Sequence, residues 1–230
     1  MEAMLDVHPP HTPAHGVGDF FLHLFTITVG LLIAVGIEGM VTRHEHKNLA
    51  EEARETLTAE IRHNMANTDD AVRDIAAQQD RMKKNLDTLE KIQTAPKGSA
   101  ADNADINAAY GSTGLEKTAW RTAQATGALS YMPYEEAQRF SGIYDEVDNF
   151  ENAQKALVED EAQFFGALAS HPIVNGHITK EGADAMAERF GIWQGHLLNL
   201  HIAARVLQEH ERAFLEHRAP LNHMSEKIGN

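Results

Sequence analysis

The sequence predicts an all-α protein in which an N-terminal transmembrane helix continues into a long-helix antiparallel bundle. Three observations carry that expectation. Residues 20–41 form a 22-residue apolar run whose only strongly polar members are His23 and Glu38. No Gly or Pro falls between Val41 and Gln93. Beyond the run, apolar residues recur at steps of three and four, the spacing of one helix face, with no convincing strand alternation.

Taken in order, residues 1–19 read as a short polar tail. It holds "HPPHTPAH", with His8, His11 and His15 among Pro9, Pro10 and Pro13. Imidazole is a good ligand for zinc, nickel and copper. The prolines keep this stretch extended and no fourth ligand is evident, so a solvated tail is the better reading and no metal is expected.

A helix of 22 residues is about 33 Å long, enough to cross a hydrocarbon core of roughly 30 Å. A cleaved export signal would carry Lys or Arg before a shorter apolar stretch and end in small residues of the A-x-A kind; none of these is present. Residues 20–41 are therefore predicted to span a membrane. All 20 Lys and Arg lie at or after Arg43, and the first 41 residues carry only the acids Glu2, Asp6, Asp19 and Glu38. Arg43, Lys47, Arg54 and Arg62 follow the run closely, which by the positive-inside rule puts the C-terminal bulk in the cytoplasm and the tail outside. Within the run, Thr26, Gly30 and Ala34 form a ladder of small residues at i+4 spacing, the kind that lets two helix backbones approach closely. Glu38 is either its next rung, at the end of a helix–helix interface, or a solvated residue opening the following helix.

Residues 42–230 are expected to form the bundle domain. Leu49, Ala53, Leu57 and Ile61 lead into Met65, Thr68, Val72, Ile75, Gln79, Met82, Leu86 and Leu89, a heptad-like seam with polar interruptions. This predicts one helix ending near Thr94. "APKGSAADNADINAAYGSTG", residues 95–114, reads as a long, flexible loop. A short helix is predicted over 115–126, and Pro133 opens a helix reaching Ser170. That helix has Phe140, Ile143, Val147, Phe150, Leu157, Phe164 and Leu168 on one stripe. "SHPIVNGHIT" breaks the chain and Thr179 is the predicted N-cap of a last helix over 180–217. Its core stripe is Phe190, Trp193, Leu197, Leu200, Ala204, Leu207 and Phe214.

Composition narrows the chemistry. The 230 residues contain no cysteine, which excludes disulfides, thiolate nucleophiles and cysteine-held metals. A formal charge of −14 disfavours nucleic acid as a partner. Glu60–His63 is the single Glu-x-x-His pair, whereas a two-metal carboxylate bundle uses two. His196, His210 and His217 share a heptad position but span about 31 Å of helix, too far for one site. Gln154, Glu161 and Glu211 interrupt apolar seams, where a buried carboxylate is costly unless paired. There is no GxSxG, no Walker loop and no GxGxxG. The chain is not expected to be an enzyme, and no cofactor is implied.

Two stretches, "FLHLFTITVGLLIAVGIEG" and "TAWRTAQATGALSYMPYEEAQRFSGIY", resemble a group of uncharacterised bacterial single-pass membrane proteins of unknown function. In that group an N-terminal anchor with a "GLLIA" core leads into a long helix, and a Trp segment precedes a helix bearing a Tyr. The resemblance implies architecture and a bacterial inner-membrane setting, and it singles out Trp120, Leu129, Tyr131 and Tyr134 as a segment with a shared role. The plainer reading is that these four lock a helical corner into the core.

The function expected from the whole is a membrane-anchored, non-enzymatic helical scaffold or accessory protein. Its partners would be the lipid bilayer and either a second copy of itself or another membrane protein. The alternative is a membrane-bound sensor whose bundle takes a small ligand or a metal.

Overall fold

The computed structural model describes residues 16–95, 106–108 and 111–221. The histidines of the tail and most of the 95–114 stretch lie outside them. Among the described residues every extended regular element is a helix: α1 (Val17–Thr94), α2 (Thr118–Thr126), a 3₁₀ turn (Ala128–Tyr131), α3 (Tyr134–Ser170) and α4 (Lys180–Leu215). The chain divides into two units, residues 1–49 and 50–230.

In the first unit, α1 carries an 18-residue window of mean hydropathy 2.3, none of it buried. The hydroxyls of Thr26 and Thr28 donate to the carbonyls of Leu22 and Leu24 at 2.9 and 2.7 Å. That back-bonding satisfies the two hydroxyls within their own helix.

In the second unit α3 and α4 pair antiparallel, as Asp160 with His196 and Gln163 with Arg189 show. Their aromatic centre is Phe164, stacked on Phe190 at 4.8 Å, with Trp193 beside both. α1 also runs antiparallel to α4, joined by Asp69–Gln208 and Gln93–Asp184. It runs parallel to α3: Arg54 reaches Glu136, and Glu60 reaches Tyr144. An all-antiparallel arrangement thus does not describe this pair. Two helices can be sequence neighbours and parallel because the chain between them returns along α1. Its contacts fall on Asn85, Asn67, Asn64 and Glu60 in turn as the chain advances from Asn107 to Ala119.

The predicted seam residues Ala53, Leu57, Ile61, Thr68, Ile75, Met82 and Leu89 are buried, and the returning segment moves the other half of the inward face by one residue. Asn64, Ala71, Gln78, Asn85 and Ile92, one residue per heptad, are buried, whereas Met65, Val72, Gln79 and Leu86 of the predicted seam are half-buried. The shift by one residue brings amides to backbone groups that need partners.

The helix ends follow local chemistry. Gly127, at φ 72°, closes α2 with its N–H on the carbonyls of Ala123 and Gln124. Thr179 caps α4 by accepting from the Gly182 N–H at 3.1 Å. Asn175 and Gly176, both at positive φ, make the two-residue turn that pairs Val174 with His177. Gly182 permits a close approach: a Cβ there would lie 2.8 Å from His171 Cβ and from Ile178 Cγ1.

Candidate functional site

A run of polar residues crosses the interior of the second unit, and three of them grip a main chain. Asn64 Oδ1 accepts from the Glu116 N–H and its Nδ2 donates to the Glu116 carbonyl, both at 2.8 Å. Asn85 does the same to Asn107 at 3.2 and 2.9 Å. Gln154, from α3, does so to Thr113 at 3.1 and 3.2 Å. An amide group presents one donor and one acceptor side by side, as a neighbouring β-strand would. Three such clamps hold an extended segment between α1 and α3 without a sheet.

The segment then enters α2, whose start is governed by Glu60. The Glu60 carboxylate is buried and accepts from the Ala119 N–H at 2.7 Å and the Trp120 N–H at 3.3 Å. The first N–H groups of a helix have no partner within it, and Lys117 supplies no side-chain cap. Glu60 takes that role from across the interface, and its charge is favourable at a helix N-terminus. The Tyr144 hydroxyl donates to the same carboxylate at 2.6 Å. Burial, and then the Glu60 carboxylate, push the Tyr144 phenol well above its ordinary range, so it stays a donor. The Trp120 ring stacks on Tyr144 at 4.7 Å with 8° between planes.

Lys117, at the start of α2, ties the same junction to α3, donating to Asp148 at 2.7 Å and Glu151 at 2.6 Å. Burial opposes its charge, but the two carboxylates more than offset that and raise its pKa. Arg54 and Glu136 form a two-point pair at 2.5 and 2.9 Å, and the hydrogen bond from Arg54 keeps the Glu136 carboxyl below its usual range.

Glu211, on α4, is fully buried, and neither of its oxygens has a hydrogen-bond partner among the described residues. Thr68, equally buried, lies beside it from α1, and its hydroxyl is placed to interact with the carboxyl, without ideal hydrogen-bond geometry. Burial raises the Glu211 pKa to about 8 against the opposing effect of the Thr68 hydroxyl, and the nearby Asp69 adds to the rise. At neutral pH this side chain is therefore mostly an uncharged acid, which is how a carboxyl persists in such a place.

The residues singled out from sequence scatter across the two units. Thr26, Gly30, Ala34 and Glu38 are exposed on the first unit, and nothing lies within 4 Å of where a Gly30 Cβ would be. Of the four in the second unit, Trp120 joins the Glu60–Tyr144 pair and Leu129 is half-buried. Tyr131 and Tyr134 are 43% and 75% exposed, so neither locks the corner into the core. Ala123, Ala128 and Met132 do that instead. Gln154 is a clamp, and Glu161 is half-buried. His63 lies outward near Glu116 at 3.6 Å while Glu60 points inward, so the two do not share a ligand set. His196 bonds Asp160 and His210 donates to the Val206 carbonyl. Among the described residues no three metal-type side chains converge.

Sequence reasoning missed Asn64, Asn85 and Tyr144. Their one visible signal was position: Asn64 and Asn85 lie 21 residues apart, three full heptads. Comparison with protein-family models, curated proteins and solved structures finds no match for the chain.

Proposed function

We propose that the protein is a single-pass, membrane-anchored helical scaffold or accessory protein without catalytic activity, held in a bacterial inner membrane by residues 20–41. The observation that supports this most is the first unit's helix, whose apolar window is wholly unburied by the rest of the chain. A helix of that length and composition left uncovered in water would be strongly unfavourable, and a bilayer is the solvent that suits it. Positive charge confined to the C-terminal side supports a cytoplasmic position for residues 42–230. The ladder Thr26, Gly30 and Ala34, ending at Glu38, is the face through which the anchor meets a second copy or another membrane protein.

In the second unit the polar groups are used to hold chain to chain, as in the three amide clamps and the Glu60 cap. That use supports a fixed platform over a reaction centre. The resemblance to uncharacterised single-pass membrane proteins agrees with this reading and adds no activity to it.

A reporter active on only one side of the membrane, fused with an affinity tag at the C-terminus, tests the proposal. A cytoplasmic signal together with a stoichiometric partner, or self-association lost in Gly30→Leu, is the expected result. A reporter signal from outside overturns the topology. A protein that purifies alone and monomeric overturns the scaffold reading. A sensor is the second reading, supported by the polar Glu211–Thr68 pair buried in the core; it requires that a ligand raise the melting temperature.

A further inference from the structure

Between the start of α3 and the end of α4 lies an open cavity of about 410 Å³. Its apolar lining comes from Ile143, which is 3% exposed, together with Phe214 and Pro220. Gly142 lines it from the interior of α3, where glycine costs roughly 1 kcal/mol relative to alanine. Nothing lies within 4 Å of where its Cβ would be. No close packing therefore demands a glycine, and the missing side chain leaves the depression open. A larger residue would occupy it.

The rim gives the cavity a sign. Of its two arginines, Arg218 is committed to Glu209 and Glu216. Arg139 is held with its guanidinium 5.2 Å from the centre of the Phe214 ring. Its one hydrogen bond, to the Phe214 carbonyl, is long at 3.5 Å, and it makes no ion pair among the described residues. An aromatic face positions a guanidinium without using up its N–H donors. His210 donates Nδ1–H to the Val206 carbonyl at 2.9 Å, which fixes its ring at the rim. Glu135 is the opposing charge on the lining. With Arg218 neutralised by Glu209 and Glu216, Arg139 is the lining cation that keeps N–H donors to offer, although its charge also acts on the neighbouring Glu136.

We propose that this cavity is a binding site for a small monocarboxylate with a compact apolar body, seated over Gly142 and Phe214 with its carboxylate on Arg139. The volume lies within the range of small-molecule sites, and an apolar lining with one oriented charged donor is their usual composition. Guanidinium and carboxylate pair with matching donors and acceptors, so the charged end is chosen chemically and not by size alone. This assignment goes beyond the anchoring role and stands independently of it.

The test is calorimetric titration of the full chain in lipid nanodiscs with 4-phenylbutyrate, using empty nanodiscs as the blank. Saturable binding with a Kd at or below about 1 mM is expected. Arg139→Gln should weaken it by about tenfold, and the neutral 4-phenylbutan-1-ol should bind the parent about tenfold more weakly. Gly142→Leu should remove saturation while keeping the helix content and not lowering the melting temperature, since it meets open space and relieves a helix-interior glycine. Absence of saturable heat in the parent up to about 10 mM overturns the proposal. Equal binding by either variant, or by the alcohol, overturns it as well.

Discussion

Asn64 holds Glu116 by the main chain, donating to its carbonyl and accepting from its N–H at 2.8 Å each, across 52 residues of sequence. Asn64 is 1% exposed, so removing its amide strands two backbone groups away from water. Asn64→Leu is expected to destabilise the second unit by about 2–4 kcal/mol, since each buried group left unpaired costs about 1–3 kcal/mol. Chemical denaturation of the full chain in detergent, followed by circular dichroism, checks this. An unchanged midpoint would mean that the clamp contributes nothing.

Glu60 serves two helix N–H groups and the Tyr144 hydroxyl at once. Glu60→Ala should therefore fray α2 before it affects α3 or α4. Amide hydrogen exchange at Ala119 and Trp120 should accelerate by about tenfold or more, with a global loss of about 2–4 kcal/mol. Exchange at Trp193, in the α3–α4 core, reports whether the effect is local.

Glu211 ties stability to pH. Its folded value is about 8 against an ordinary 4.5, so the folded chain binds more protons than the unfolded chain between those values. Thr68 and Asp69 on α1 act on it, it acts on the Tyr144 phenol on α3, and the adjacent Arg212 lies 3.8 Å from Asp69. Stability from this group is highest below pH 4.5, falls as pH rises, and levels off above about 8, a span of up to roughly 5 kcal/mol. Glu211→Gln should flatten that slope and raise the melting temperature at pH 8.5 relative to the parent. Melts at pH 5 and pH 8.5 decide it, and a parent that is equally stable at both contradicts the assignment.

Two glycines of the same type should respond in opposite directions. Gly182→Ala forces a Cβ to 2.8 Å from His171 and Ile178, and should cost about 1–3 kcal/mol. Gly142→Ala meets open space in a helix interior and should stabilise by about 0.5–1 kcal/mol. Thermal melting of both variants side by side is sufficient.

Helix existence was readable in the sequence because periodicity and breakers are local. α1 ends at Thr94 as expected, Thr179 is the N-cap of α4, and the α3 stripe from Phe140 to Phe164 is buried. The inward face of α1 was less readable. Choosing Met65 over Asn64 and Leu86 over Asn85 follows hydrophobicity, yet the asparagines are the buried ones. Their partners are backbone groups 52 and 22 residues away, and no spacing rule sees a main chain. The same cause delays α2, predicted from Leu115 but starting at Thr118: Glu116 has its N–H and carbonyl committed to Asn64. The Glu60–Tyr144–Trp120 cluster was unreadable for a similar reason. It joins three elements: Trp120 stood out by resemblance and Glu60 only beside His63, and no local signal links either to Tyr144.

The three amide clamps have an evolutionary corollary. Asn64, Asn85 and Gln154 each grip a peptide unit and ignore the side chain attached to it. As far as the clamps are concerned, the path of the chain depends on the three gripping amides and not on which side chain the gripped residue carries. To that extent, heritable variation should accumulate on the held strand and be purged from the hands that hold it.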